Sequence, residues 1–376
     1  MKRCWGIALL VMGLLLAGCG GKAPKAAGVK ADPAEAIKTG VAFMATAQNP
    51  DGSFGEKYSG VGITGVVAAA MASSPQKLTA DQQQVLEKAV AYMLKFVQPD
   101  GSVQNKETGL AHYHTSLAVM ALAAIDPDKH KETIANARTY LMGATFDEKS
   151  GNFTPKDWQY GGIGYDKQKG EPKPDLSNTQ MVTEALHDSG LPADSEVYKR
   201  IATFLQRCQN RTESNDQPKF GNDGGAAYSP VESKAGFIKL PNGEEVYQSY
   251  GSMTYALLKS YIFCSLPKTD PRLQAAYKWI QDHYTLEENP NMKNQGLYYY
   301  HLTMARALQA YGSPTIKTPD GVEHNWSEEL AAKVASLQQP GGYWVNEQDR
   351  WYEGDKALVT GYAVWTLNIC EAMRKQ

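Results

Sequence analysis

The residues best suited to chemistry stand where polar side chains begin otherwise apolar helical runs. Asp175-Leu-Ser-Asn-Thr179 places a carboxyl, two hydroxyls and an amide within five residues. A carboxyl at a helix start sits in the field of unpaired N–H groups and can serve as acid, base or ligand anchor. His112, His114, Tyr247, Tyr250, Tyr298, Tyr299, Tyr300 and His301 occupy similar places. A last cluster, NEQDRWYEGDK at 346–356, holds Asp349, Arg350, Trp351, Tyr352, Glu353 and Asp355. Aromatic walls with a few convergent polar groups suit an apolar or a sugar-like ligand. Asp175 is the best catalytic candidate among the acids. His112, His114, Asp175, His301 and Asp355 lack ligand spacing such as His-x-x-x-His, so they are expected to cap helices or hydrogen-bond across a cavity rather than hold a metal. No cofactor is expected. The 175–179 stretch also has a purely structural reading, preferred on the residues alone. Ser177 with Gln180 three residues on forms a capping box, and Asp175 lies just ahead of it.

These residues need elements to position them, and the chain supplies a repeat. Six segments, at 34–49, 84–98, 130–146, 195–210, 270–284 and 327–339, carry apolar residues at three- and four-residue spacing and charged residues opposite. That pattern predicts half-exposed helices. A second segment follows each, at 64–72, 113–125, 176–190, 250–264, 298–312 and 358–370, rich in Ala, Leu, Val and Tyr and poor in charge. Helices apolar on all sides are buried ones. Six pairs in constant order predict an all-α fold of two concentric rings, an (α/α)6 toroid, with an open solenoid as the structural alternative. Several outer helices end in Pro/Gly turns, QNPDGSFG at 48, VQPDGSV at 97 and QQPGGYW at 338, which lead to the inner partners.

In this arrangement every inner helix begins on one face, where its dipole favours negative charge. The two longest insertions, 151–174 and 211–249, lie on that face and are dense in Gly and Tyr. The axis on this side is therefore the expected pocket. The expected ligand contacts are His114, Trp158, Tyr160, Tyr165, Asn178, Tyr250, Tyr299, His301, Arg350, Trp351 and Asp355.

The chain opens MKRCWGIALLVMGLLLAGCGG, a basic start and an apolar run too short to span a membrane. Leu16-Ala17-Gly18-Cys19 resembles the lipobox of bacterial lipoproteins. The resemblance implies a signal peptide over residues 1–18, acylation of Cys19 and partnership with a membrane through the lipid anchor. Gly20 in place of an acidic residue implies outer-membrane retention facing the periplasm. Residues 19–31 lack large side chains and are expected to form a flexible tether, and 32–376 the toroid. Two of the 38 Lys and Arg fall in the leader, leaving 36 against 40 Asp and Glu. No basic stripe is present, so no nucleic-acid partner is expected. Cys208, Cys264 and Cys370, in apolar patterns, are expected to be buried packing thiols, although one bridge is possible by count.

The QNPDGSFG turn and the six pairs resemble the repeats of squalene–hopene cyclases and protein prenyltransferases over about residues 34–372. The segments WQYGGIGYDKQKGEPKPDLSNTQ and QGLYYYHLTMARAL are similar to uncharacterised bacterial proteins with the same repeats. The resemblance implies a toroid and action on an isoprenoid. In the cyclases Asp-x-Asp-Asp-Thr supplies the acid from its middle Asp; here Asp175 and Thr179 match, but Ser177 stands at the acid position. A serine hydroxyl is too weak an acid to protonate an alkene, so cyclisation started by protonation is not expected. No cysteine begins an inner helix, so zinc-activated thiolate transfer is not expected either. A cell-envelope polysaccharide binder or processor, and a non-catalytic scaffold, are the alternatives.

Overall fold

The structure is a computed structural model that describes residues 31–57, 60–107, 109–166 and 173–375. The leader, Cys19 and nearly all of the tether lie outside the described residues. Helices α1 (Pro33–Thr46) and α2 (Val61–Ala72) form the first pair, and α3 (Ala80–Leu94) and α4 (Ala111–Ile125) the second. The third is α5 (Lys131–Met142), a single-turn α6 (Glu148–Gly151) in the insertion, and α7 (Leu176–Asp188). Then follow α8 (Glu196–Arg207) with α9 (Gly251–Phe263), α10 (Pro271–Asp282) with α11 (Leu297–Tyr311), and α12 (Trp326–Ser336) with α13 (Lys356–Met373). Two small antiparallel hairpins sit in connections: β1 (Phe237–Lys239) with β2 (Glu245–Tyr247), and β3 (Ile316–Lys317) with β4 (Glu323–His324).

The burial pattern separates the rings. In α1 only Ala36, Ile37, Gly40, Val41 and Met44 are buried, a single stripe. In α2 every residue from Val61 to Met71 is buried. The inner helices pack in order α2, α4, α7, α9, α11, α13, and α13 returns to α2, while α1 meets α12 and α13. The ring is closed. Closure hides the two terminal apolar faces that an open solenoid would have to cap with polar residues.

A single device recurs in five of the six caps. A glycine with positive φ lies against the next outer helix: Gly52 on Lys88, Gly101 on Asn136, Gly161 on Arg200, Gly224 on Ala275, and Gly342 on Thr39 across the ring closure. At each, a Cβ would stand 1.8–2.6 Å from that residue's carbonyl oxygen, and only glycine adopts this backbone readily. Two residues later, the backbone N–H donates to a threonine hydroxyl in the first turns of the inner helix. The pairs are Phe54 with Thr64, Val103 with Thr115, Ile163 with Thr179, Ala226 with Thr254, and Trp344 with Thr360, at 3.0–3.1 Å. Glutamines Gln48, Gln209 and Gln338 complete the joint, each donating to its cap glycine's carbonyl and to a carbonyl of the next outer helix.

WQYGGIGY and FGNDGGAAYSP each contain an ordinary repeat cap, Gly161 and Gly224, with extra chain added around it. Those two glycines serve the joint between repeats. The cap before α11 departs from the rule, with Tyr300 at the corresponding turn donating to the Thr285 carbonyl at 2.7 Å. Cys208, Cys264 and Cys370 are free and buried.

Candidate functional site

Asp175, not Ser177, caps α7. Its backbone is extended, and its Oδ1 accepts the Asn178 N–H at 2.8 Å while the Asn178 side-chain amide donates to Oδ2 at 2.8 Å. The capping box expected at Ser177 and Gln180 is therefore not formed. A carboxylate is the better partner for helix-terminal amides than a hydroxyl, and it wins the position. Ser177 is released to the axis, its hydroxyl 3.3 Å from the Tyr299 hydroxyl, to which the Gln180 amide also donates at 3.0 Å. Thr179 belongs to the repeat joint and accepts from Ile163. Four of the five residues in the motif are thus assigned by packing and capping alone.

Burial raises the Asp175 carboxyl to about 6, against the opposing hydrogen bonds from Asn178, Tyr228 and the Ser177 amide. A folded value above the unfolded one makes ionisation costly to the fold. The stabilising contribution is complete below about pH 3.8 and is lost as pH rises through about 6. Asp175→Asn is expected to remove that loss, so the variant gains on the parent as pH rises from about 4 to about 7. Urea unfolding at several pH values checks this; a constant difference between the two proteins would refute it.

Around the axis on this face stand Tyr113 from α4, Tyr165 and Tyr228 from the insertions, Ser177 and Tyr299, all half-buried. Tyr113 faces Tyr165 at 6.4 Å between ring centres, and Tyr299 meets Tyr362 edge-on at 6.2 Å. Tyr113 and Tyr362 share a hydrogen bond. These rings form a tyrosine-lined mouth. Tyr250, N-cap residue of α9, is fully buried behind it.

The last cap supplies a second buried acid. Glu353 is raised to about 7 by burial, opposed by hydrogen bonds from Asn346 and from the first amides of α11. Its Oε1 accepts the Tyr299 N–H at 2.8 Å and Oε2 the Asn346 amide at 2.6 Å. Asp355 caps α13 through the Leu358 N–H at 3.0 Å and accepts the Glu56 N–H at 2.7 Å, tying the last repeat to the first. Arg350 lies over the Trp351 ring at 4.3 Å, and Trp351 and Tyr352, both exposed, take the left-handed backbone at φ 61° and 66°.

The remaining candidates have other neighbours. His301 is directed away from the mouth; its Nε2 lies 3.1 Å from the Leu286 carbonyl, in the cap before α11, and burial lowers it to about 4. His114 packs against Gly62 of α2, and burial lowers it to about 4 as well. Tyr160 sits beside Glu148 and Arg200 near the outer ring, and Trp158 packs half-buried on the core. Among the described residues no three His, Cys, Asp or Glu side chains form a group able to hold a metal.

Beneath the mouth, among the described residues, the axis narrows. A void of about 20 Å³, enough for one water, is lined from all six inner helices, including Leu117, Gln180, Tyr299 and Trp365. Its floor is charged, which sequence reasoning missed. Glu184 of α7 accepts from Lys259 of α9 and from Arg306 Nε of α11, and Arg306 Nη2 donates to Asp188 at 3.0 Å. The signal was present: three charge-poor helices each carry one charge near the middle, in TEALHD, LLKSY and TMARAL. Below that floor, at the C-terminal ends of α7, α9 and α11, opens a cavity of about 400 Å³ lined by His187, Tyr198, Phe263 and Arg306 among others. The larger cavity described thus lies on the face opposite the expected one.

No family model and no curated protein matches this sequence. Solved structures do. The type II terpene cyclase MstE from Scytonema aligns over 91% of this chain and 99% of its own at 14% identity and a TM-score of 0.57. A further structure of that enzyme, a point variant at 15% identity and TM-score 0.56, is a complex with geranylgeranyl dihydroxybenzoate as substrate. A family 76 glycoside hydrolase from a bovine Bacteroides thetaiotaomicron strain covers 93% of this chain and 79% of its own at 12% identity and TM-score 0.58. A possible GH105 member from Salmonella enterica covers 94% and 97% at 10% identity and TM-score 0.52. Identities this low speak to fold and leave activity to the site itself. The chain has an α/α-toroid fold, which these terpene cyclase and glycoside hydrolase structures share.

Proposed function

We propose that this chain is a lipid-anchored cell-envelope protein, held by Cys19 in the outer membrane facing the periplasm, that binds a glycan segment at the tyrosine-lined mouth. The observation carrying the glycan reading is that the void below half-buried Tyr113, Tyr165, Tyr228 and Tyr299 is only about 20 Å³. A void that holds one water has no room for a threaded isoprenoid, whereas a sugar ring can stack on aromatic faces at the surface. Trp351 and Tyr352 would extend the platform at the rim, with Arg350 and the tyrosine hydroxyls offering hydrogen bonds. Asp175 acts in this reading as a positioning residue, since both its oxygens are engaged by Asn178.

The fold shared with a terpene cyclase and the apolar void wall of Leu117, Met120, Met181 and Leu302 favour a second reading, an isoprenoid ligand. One calorimetric experiment separates the two. The protein without its leader is titrated with oligosaccharides of N-acetylglucosamine, mannose and galacturonate, and in parallel with detergent-solubilised geranylgeraniol. A saturable glycan heat, weakened about tenfold or more by Tyr299→Ala, is the expected result. Binding of geranylgeraniol alone would replace the glycan reading with the isoprenoid one. Loss of membrane association in Cys19→Ala is the companion result expected for the anchor.

A further inference from the structure

The cavity of about 400 Å³ at the C-terminal ends of α7, α9 and α11 belongs to no part of the mouth, which lies at the opposite ends of the same helices. Three features make it a built site. Its wall is apolar where Leu191, Ile262 and Phe263 line it, and His187 stacks on Phe263 at 4.1 Å between ring centres, giving a flat face. Tyr198 lines it, a residue only 2% exposed, and its buried hydroxyl has no hydrogen-bond partner among the described residues. A buried hydroxyl left unpaired costs free energy that an acceptor would recover. Its third feature is Arg306, which is fixed through Nε by Glu184 and through Nη2 by Asp188 and whose side chain stays 17% exposed.

Charge decides the ligand class. Glu184 and Asp188 are matched by Lys259 and Arg306, so the fixed charge beside the cavity balances. A carboxylate ligand would bring an unmatched negative charge to three helix C-termini, whose carbonyl dipoles already repel it. An ammonium, though favoured by those C-terminal dipoles, would meet the Arg306 guanidinium and find Asp188 already engaged by Arg306 and His187. A neutral molecule meets neither penalty. We infer that this cavity is a second binding site, for an uncharged compound with an apolar or planar body and a carbonyl acceptor directed at the Tyr198 hydroxyl and Arg306.

Benzamide, benzoate and benzylammonium share one size and differ in charge, so they test this directly by saturation-transfer NMR titration on the leaderless protein. Benzamide is expected to bind at least tenfold more tightly than either ion. Ala310→Trp, which fills the cavity from α11, is expected to abolish binding, and Leu191→Trp serves the same purpose should the first variant melt early. Tyr198→Phe is expected to weaken benzamide about fivefold while leaving the walls intact, and Tyr299→Ala at the mouth to leave it unchanged. Equal binding of the three probes, no binding of benzamide, or binding that survives both tryptophan variants would overturn the inference. A benzamide affinity lost in Tyr299→Ala and kept in Tyr198→Phe would place the compound at the mouth and overturn it equally.

Discussion

Glu184→Ala is expected to cost about 3–5 kcal/mol of folding stability. The Glu184 side chain is 4% exposed and Lys259 3%, and each carboxylate oxygen meets a different cation. Removing the acid leaves Lys259 without its anion and Arg306 with Asp188 alone, in the middle of the inner ring. Uncompensated buried charge, more than the lost attraction, drives the loss. Chemical denaturation of the leaderless protein measures it, and a change under about 1 kcal/mol would show that water reaches the cluster and screens it. Replacing Glu184, Lys259 and Arg306 together by Leu or Met is expected to restore most of the stability, because the desolvation cost leaves with the charges. The acid limb follows in sign. Burial opposes ionisation of Glu184, yet Arg306 and Lys259 outweigh it and hold the carboxyl down at about 2. A depressed folded value gives stability that is present above the unfolded value, 4.5, and is lost as pH falls toward about 2. The alanine variant should lack that acid transition.

Gly161→Ala is expected to cost about 2–5 kcal/mol, from a left-handed backbone unsuited to alanine and from overpacking. At φ +80° its Cβ would fall 1.8 Å from the Arg200 carbonyl oxygen, so cap and outer helix must separate. Gly243 is the internal control, with φ +90° and, among the described residues, nothing within 4 Å of a Cβ. Gly243→Ala should show only the backbone cost, about 1 kcal/mol. Thermal melts of the pair decide the matter; equal shifts would mean that the cap joint carries no packing strain.

The sequence by itself determined the toroid. Six alternating half-exposed and buried helices are a local property, because apolar periodicity within fifteen residues already states which side of a helix meets water. Order and number of pairs then leave few ways to bury the inner faces, and closure is the one adopted. The repeat caps at 48, 97 and 338 were legible for the same reason, being short-range turn chemistry. The caps inside the insertions were not, since Gly161 and Gly224 are recognisable only by what they touch.

Tertiary structure decided the site. Whether Asp175 or Ser177 caps α7 depends on competition for the same amides, which the letters DLSNT leave open. Asp175 and Glu353 become weak acids through burial, a property of surroundings gathered from several repeats. His301 and Asp175 both start inner helices, yet the ring sends one toward Leu286 and the other to Asn178. Lys259 and Arg306 lie 75 and 122 positions from Glu184 and meet it only when the inner ring closes. Periodicity tells each helix which face to bury. Which buried groups then meet is set by long-range packing, and this decided that the void on the axis is small and that a larger cavity opens behind it.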